Sequence, residues 1–415
     1  MTAEQVNALI KQAGYDKLTV PYGVRNFRLR YVTQDRGKAV EATAAVGVPV
    51  GTAPGEARPI AIVLHGWEGA SDECAPTRDP MSSTAGTTLF ASLGFVTVFP
   101  DYIGMVAFGA PSPPGTLHPY LVGEPTAIAS LDAARAALAA IEAESGAAGE
   151  GAAGGGPWPG VGPGLTRGAR DRVVLFGGSQ GGHAVFFVDR YAPHYAPEFK
   201  LVAAVAAVPP TDMTGLATWG LANFGLPGKT LAGALVSLWT WYGKTANGKA
   251  VDLADALTDQ PPLMLASTFP ATMATDCRSP RVLEDTASPA EIYAAGFLAK
   301  GAAGDWDSLD PWGCWLAENS VATTSVPRAN DTPYFVQFGE ADDLVITSVE
   351  RTDVARLCDA GYRIRYLECA GKGHTDGGLP SFPRELAWLN ARLAGEPLPA
   401  ADVCAIGAPT DCDAM

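Results

Sequence analysis

One stretch restricts the possible folds more than any other: Arg172-Val-Val-Leu-Phe-Gly-Gly-Ser179-Gln-Gly-Gly-His183. Its short, β-branched apolar run reads as a buried parallel strand. The run passes directly into Gly177-Gly178-Ser179-Gln180-Gly181, a G-x-S-x-G pattern. An apolar helical stretch from Ala184 to Tyr191 follows at once. A strand, a tight turn and a helix in that order present a serine at the tip of a strained turn, where only small neighbours fit. The five-residue pattern also suits any glycine-rich turn between a strand and a helix, so the flanking elements carry the reading.

The rest of the chain supplies a sheet for that strand to enter. Residues 24–35 alternate in polarity and read as a strand, with 39–50 as its hairpin partner. Apolar strands follow at 58–65, 94–101, 200–208, 332–339 and 362–369, and helical stretches at 82–93, 125–145, 348–360 and 381–393 fall between or after them. Such alternation predicts an α/β fold: a mostly parallel central sheet with helices on both faces and antiparallel strands at one edge. Two stretches break the rhythm. Residues 145–168 are mostly Gly, Ala and Pro and read as a surface loop. Residues 211–330 read as inserted helices, for example 216–224 and 230–242, and hold six of the nine tryptophans. The expected organisation is a first part of the core at 1–210, a helical cap at 211–330, and a second part of the core with a C-terminal tail at 331–415. Most of the cap tryptophans are expected to be packing residues. Tyr102, Trp219 and Trp239 are the candidates to line an apolar substrate pocket.

Charge and cysteine narrow the function classes. The net charge is −15 with no Lys/Arg-rich run, which argues against nucleic acid or an anionic membrane as the main partner. No apolar run reaches the roughly 18 residues of a membrane helix. Seven cysteines without a C-x-x-C, beside five histidines, suggest disulfides in an oxidising compartment rather than a zinc site. The expected pairs are Cys404 with Cys412, Cys358 with Cys369 and Cys277 with Cys314, which leaves Cys74 over. Free buried thiols in a cytosolic protein are the alternative. The chain opens Met1-Thr-Ala-Glu without an apolar leader. Either the leader of an exported precursor lies outside this sequence or the protein is not exported.

A serine hydroxyl needs a base within hydrogen-bond reach, and the base needs an orienting acid. With this turn the chain order is serine, acid, histidine. His183 and His194 follow Ser179 too closely to leave room for an intervening strand, and His65 and His118 precede it. His374, in a glycine-rich loop after the last strand, remains. Asp342, in Phe338-Gly-Glu-Ala-Asp342-Asp-Leu-Val345 after the preceding strand, is the expected acid. Asp343 is its close rival and Glu340 a weaker one; Asp212 is an alternative whose setting also suits a turn or helix cap. An oxyanion needs two preorganised donors. One is expected from the backbone N–H of Gln180. The other should come from His65-Gly66-Trp67 or from Asp101-Tyr102-Ile-Gly104. Nothing in the sequence predicts a metal or an organic cofactor.

Four separated segments, His65-Gly-Trp-Glu-Gly-Ala-Ser-Asp-Glu-Cys74-Ala-Pro, Pro100-Asp-Tyr-Ile-Gly104, His118-Pro-Tyr-Leu-Val-Gly-Glu124 and the Ser179 turn, complete a pattern with the Asp342 and His374 loops. The chain thereby resembles the secretory lipase family of α/β-hydrolases, and more closely its bacterial members. The resemblance spans roughly residues 15–395. It implies an α/β-hydrolase fold with a helical cap between the sixth and seventh core strands, carboxylic ester hydrolysis, and Ser179, Asp342 and His374 as nucleophile, acid and base. It implies an exported protein, secreted or at the periplasm or cell surface, with disulfides and a small ester or lipid substrate. It favours the Asp101 loop for the second oxyanion donor, with Trp67 the alternative. Trp67-Glu68 stands where small hydroxylated residues are usual in the family, so contact of the cap with a lipid interface stays open. A serine peptidase, an acyltransferase and a non-catalytic binding protein on the same scaffold are the rival readings.

Overall fold

A computed structural model describes residues 1–12, 14, 18–52, 56–147, 164–243, 245–246, 249–277 and 281–413. The greater part of the predicted 145–168 loop lies outside the described residues.

The chain opens with α1 (Ala3–Gln12), an element absent from the strand and helix pattern above. Val6 and Ile10, one turn apart, dock it on Val20, Val24 and Ala91. The hairpin β1 (Gly23–Asp35) and β2 (Lys38–Val50) follows, then β3 (Ile60–Leu64), α2 (Pro80–Ser92) and β4 (Val96–Pro100). After α3 (Gly123–Ala147) come β5 (Val173–Gly178), α4 (Gln180–Tyr195) and β6 (Leu201–Ala207). The stretch to residue 330 carries α5 (Met213–Asn223), α6 (Gly225–Trp241), the two-residue strands β7 (Thr245–Ala246) and β8 (Lys249–Ala250), α7 (Leu265–Met273), α8 (Ala295–Ala302) and α9 (Trp312–Glu318). The chain then returns to the sheet through β9 (Pro333–Gly339), α10 (Thr347–Asp359), β10 (Arg363–Cys369) and α11 (Gly378–Leu393).

The eight-stranded sheet runs β1-β2-β4-β3-β5-β6-β9-β10. The β1/β2 and β2/β4 pairs are antiparallel and every pairing from β4 through β10 is parallel. The parallel strands read as unbroken apolar runs because both faces are covered. Along β3, Ile60, Ile62 and Leu64 enter the core shared with α3, α4 and α10, while Ala61 and Val63 enter the core shared with α2 and α11. The inserted helices gather a third core of their own around Leu235, Phe269, Phe297 and Trp312.

Three disulfides join Cys74 to Cys277, Cys358 to Cys404 and Cys369 to Cys412, and Cys314 is a free, exposed thiol. All three pairings expected from the sequence are therefore corrected. Proximity along the chain suggested Cys404 with Cys412. The tail instead runs back beside the edge strand β10, bridging Arg365 to Val403 and Cys369 to Thr410, so each tail cysteine meets a core cysteine. Cys277 reaches Cys74 in the loop after β3 and ties the inserted helices to the sheet. Three disulfides fit an extracellular protein. No helix among the described residues is long and apolar enough to cross a membrane.

Candidate active site

The turn at the end of β5 shows why the glycines are there. A Cβ at Gly181 would lie 2.0 Å from the carbonyl oxygen of Leu64, and one at Gly177 would lie 2.3 Å from that of Gly181. The first turn of α4 thus packs directly on the end of β3, which only glycine permits. Ser179 itself sits at φ 55° and ψ −120°, a backbone region L residues rarely occupy. Its N–H donates to the Ala207 carbonyl at 2.9 Å, so β6 holds the strained turn in place.

Three loops at the C-terminal ends of β5, β9 and β10 bring the predicted residues together. His374 Nε2 lies 2.9 Å from Ser179 Oγ, and His374 Nδ1 lies 2.8 Å from Asp342 Oδ2. The other carboxylate oxygen of Asp342 accepts the N–H groups of Leu344 at 2.9 Å and Val345 at 2.8 Å, which aims the carboxylate at the imidazole. Asp342 is buried, whereas Asp343 and Glu340 are exposed. Asp212 caps α5, accepting the Gly215 N–H at 2.8 Å and pairing with Arg356 at 3.1 Å. That is the turn-and-cap role its Pro-Pro-Thr setting suggested.

The candidate oxyanion loops separate. The N–H of Gln180 stands at the first position of α4, without an intrahelical acceptor. The N–H of Asp101 donates to the Thr43 carbonyl at 2.9 Å, extending the β2/β4 ladder, so it is not a free donor. The Asp101 carboxyl is fully buried on the Thr43 and Thr77 hydroxyls and the Thr77 N–H, and burial pushes it up to about 7. This corrects the placement of the second donor at Asp101. The rival loop lies against the serine: a Cβ at Gly66 would sit 3.7 Å from Ser179 Cβ, and the next amide, that of Trp67, has no acceptor among the described residues.

Tyr102 is also corrected as a pocket residue. It is fully buried, its hydroxyl donates to the His65 carbonyl at 3.1 Å, and its ring stacks between His65 and His118 at 4.2 and 5.4 Å. Burial in this stack pushes the two imidazoles down, to about 4 for His65 and about 3 for His118. His118 has a partner the sequence did not reveal. Its Nδ1 faces the Ile103 carbonyl at 3.1 Å and its Nε2 meets the side-chain amide of Gln180. A neutral ring that donates from Nδ1 can accept from Gln180 at Nε2. The residue beside the serine is thereby held from behind.

Among the described residues, two cavities border Ser179. One, of about 50 Å³, lies under α5 and α6 and is lined by apolar residues that include Met213, Leu216, Leu231, Ala234 and Val345. The other, of about 380 Å³, lies between α2, α11 and the ends of β5 and β6, and borders His374 as well. Neither is lined by Trp219 or Trp239. Trp239 packs in the cap core and donates from its indole to the Val251 carbonyl at 3.0 Å, and Trp219 is half-buried on α5. Of the tryptophans expected at the pocket, Trp239 is a packing residue and Trp219 lines neither cavity, and smaller side chains of α5 and α6 take their place. Nothing in their sequence pattern distinguished these from core positions.

The sheet order and its helices define the α/β-hydrolase fold. The sequence model of the secretory lipase family matches residues 165–238, the segment that contains the Ser179 turn and the first inserted helices. That match bears out the resemblance carried by the motifs, and it supports a hydrolase of the ester-hydrolysing kind. Among solved structures the fold is similar to the rice cell wall degrading esterase LipA from Xanthomonas oryzae (TM-score 0.68, 20% identity, 95% of this chain and 94% of that one covered). It is similar to a putative hydrolase from Legionella pneumophila (0.72, 18%, 96% and 97%) and to Candida antarctica lipase A in its closed state (0.67, 18%, 94% and 84%). No curated protein matches the chain.

Proposed function

We propose that the chain is a serine carboxylesterase that hydrolyses esters with an apolar acyl group through an acyl-enzyme. The observation that carries this is the single line of contacts from Asp342 through His374 to Ser179 Oγ, at 2.8 and 2.9 Å. His374 takes the hydroxyl proton as Ser179 Oγ attacks the ester carbonyl, and Asp342 holds the imidazole in the tautomer that can accept it. The negative oxygen of the tetrahedral intermediate faces the N–H of Gln180 and, in this reading, that of Trp67. Collapse returns the proton from His374 to the departing alkoxy oxygen and leaves the acyl group on Ser179. Water, activated by the same imidazole, then releases the acid. The apolar cavity under α5 and α6 supports an apolar acyl group.

Hydrolysis of p-nitrophenyl esters from acetate to palmitate, beside the Ser179→Ala protein, tests the reading. Ser179→Ala is expected to lower kcat by about 10⁴-fold or more while the protein stays folded. Full activity in a clean preparation of that variant would sink the assignment.

A further inference from the structure

Ser179 borders two cavities, but only the larger one also borders His374. In ester cleavage the bond from Ser179 Oγ to the acyl carbon forms and the bond from that carbon to the alkoxy oxygen breaks. The electron pair stays on the alkoxy oxygen, and the proton held by His374 Nε2 moves to it. The departing oxygen must therefore lie within hydrogen-bond reach of His374, and whatever is attached to it extends on the His374 side. We propose that the cavity between α2 and α11 holds the alcohol part of the substrate and selects a ring-bearing alcohol with a further hydroxyl group, while the cavity under α5 and α6 admits only a short acyl chain. This rests on the triad reading above.

The sizes and linings of the two cavities carry the assignment. About 380 Å³ lies within the range of roughly 300–1,000 Å³ typical of small-molecule sites. By the same measure the acyl side is far smaller, about 50 Å³ against about 380 Å³. The wall of the larger cavity is aromatic: Phe90, Phe176 and Phe382 form a mutual cluster with ring centroids 4.9, 5.9 and 6.0 Å apart. Such faces and edges suit a ring. Two buried polar groups also line it. Gln337 is fully buried in β9, its Oε1 has no hydrogen-bond partner among the described residues, and its Nε2 meets only the Cys369 sulfur at 3.7 Å. A buried acceptor without a donor is unfavourable, and a ligand hydroxyl would satisfy it. Glu385, 1% exposed, accepts from the Ser381 hydroxyl at 2.7 Å, and burial holds its carboxyl near 7. A hydroxyl-bearing ring between these groups would find both its apolar body and its polar group matched.

The test varies one side of the ester at a time. Alcohol preference is read from kcat/KM for ethyl acetate, 2-phenylethyl acetate and 2-(4-hydroxyphenyl)ethyl acetate, whose leaving alcohols have similar basicity. Acyl preference is read from ethyl acetate against ethyl octanoate. The phenylethyl-to-ethyl ratio is expected to be about tenfold or more, with a further gain for the hydroxylated ring and a loss of about tenfold on going to octanoate. Leu89→Trp, which fills the larger cavity, should collapse the phenylethyl-to-ethyl ratio and leave the octanoate-to-acetate ratio in place. Leu231→Trp should do the reverse. Gln337→Met should abolish the discrimination between hydroxylated and plain rings. A wild-type protein indifferent to the alcohol overturns the proposal without need of any variant, as does an alcohol preference that moves with Leu231 and not with Leu89. Should the wild type hydrolyse no ester and Ser179 resist a fluorophosphonate, the triad reading itself falls; hydrolysis of ethyl acetate without alcohol preference overturns only the cavity assignment.

Discussion

Ser179 is held at a positive φ by glycine at 177 and 181, where a Cβ would strike backbone oxygen, and by the Ala207 carbonyl that takes its N–H. A residue in such a conformation costs on the order of 1–3 kcal/mol, so its surroundings must over-determine it. The Gln180 side chain belongs to those surroundings, because His118 anchors it and so fixes the first amide of α4. His118→Ala is expected to lower kcat by roughly 10- to 100-fold with KM nearly unchanged, since an oxyanion donor acts mainly in the transition state. Steady-state kinetics on one p-nitrophenyl ester checks it, and a change in KM alone would assign His118 to substrate binding instead. The meeting of Ser179, Asp342 and His374 was legible because the order of serine, acid and histidine left one histidine free. The link from His118 to Gln180 was not, because 62 residues separate the partners and nothing in the sequence pairs them.

At the scale of elements, the helices between β6 and β9 build their own core, and two of the devices that attach them to the sheet lie on opposite sides of it. Asn319 accepts the Gly123 N–H at 2.8 Å and offers its backbone carbonyl to His183 at 2.8 Å, joining the end of α9 to the starts of α3 and α4. The Cys74–Cys277 disulfide clamps the other side, closing a loop with a sequence separation of 203, against 46 for Cys358–Cys404. In the chain-entropy picture the longer loop restrains the unfolded chain more, by about 1 kcal/mol. Replacing both Cys74 and Cys277 by serine should therefore lower stability by about 2–4 kcal/mol, and by more than the same change at Cys358 and Cys404. Thermal melts of the two double variants decide this; the reverse order would show that the tail, not the cap clamp, limits stability.

For the molecule as a whole, buried titratable groups pull stability in opposite directions with pH. Burial holds His65, His118 and His183 near 4, 3 and 4, below the ordinary 6.5. As pH falls the unfolded chain takes up their protons first, so the stability they contribute is present above 6.5 and lost as pH drops toward 4. Burial pushes Glu385 the other way, from 4.5 up to about 7. Its contribution is present below 4.5 and lost as pH rises through 7. Glu385→Gln removes that loss alone. Wild type should therefore lose stability relative to this variant between pH 5 and pH 8, by up to about 3 kcal/mol, in urea melts at the two values. Parallel pH dependence in the two proteins would refute it.

The strand and helix pattern, the strained serine turn and the acid and histidine loops were legible in the sequence because each rests on local chemistry or chain order. Alternation of apolar runs sets the sheet, and a turn that tight admits only small residues. The partners of each cysteine, the spent N–H of Asp101, the packing role of Tyr102 and Trp239, and the two cavities at Ser179 were decided by tertiary structure. All of these depend on which distant segments meet, and burial looks the same in sequence whether a side chain fills a core or lines a pocket.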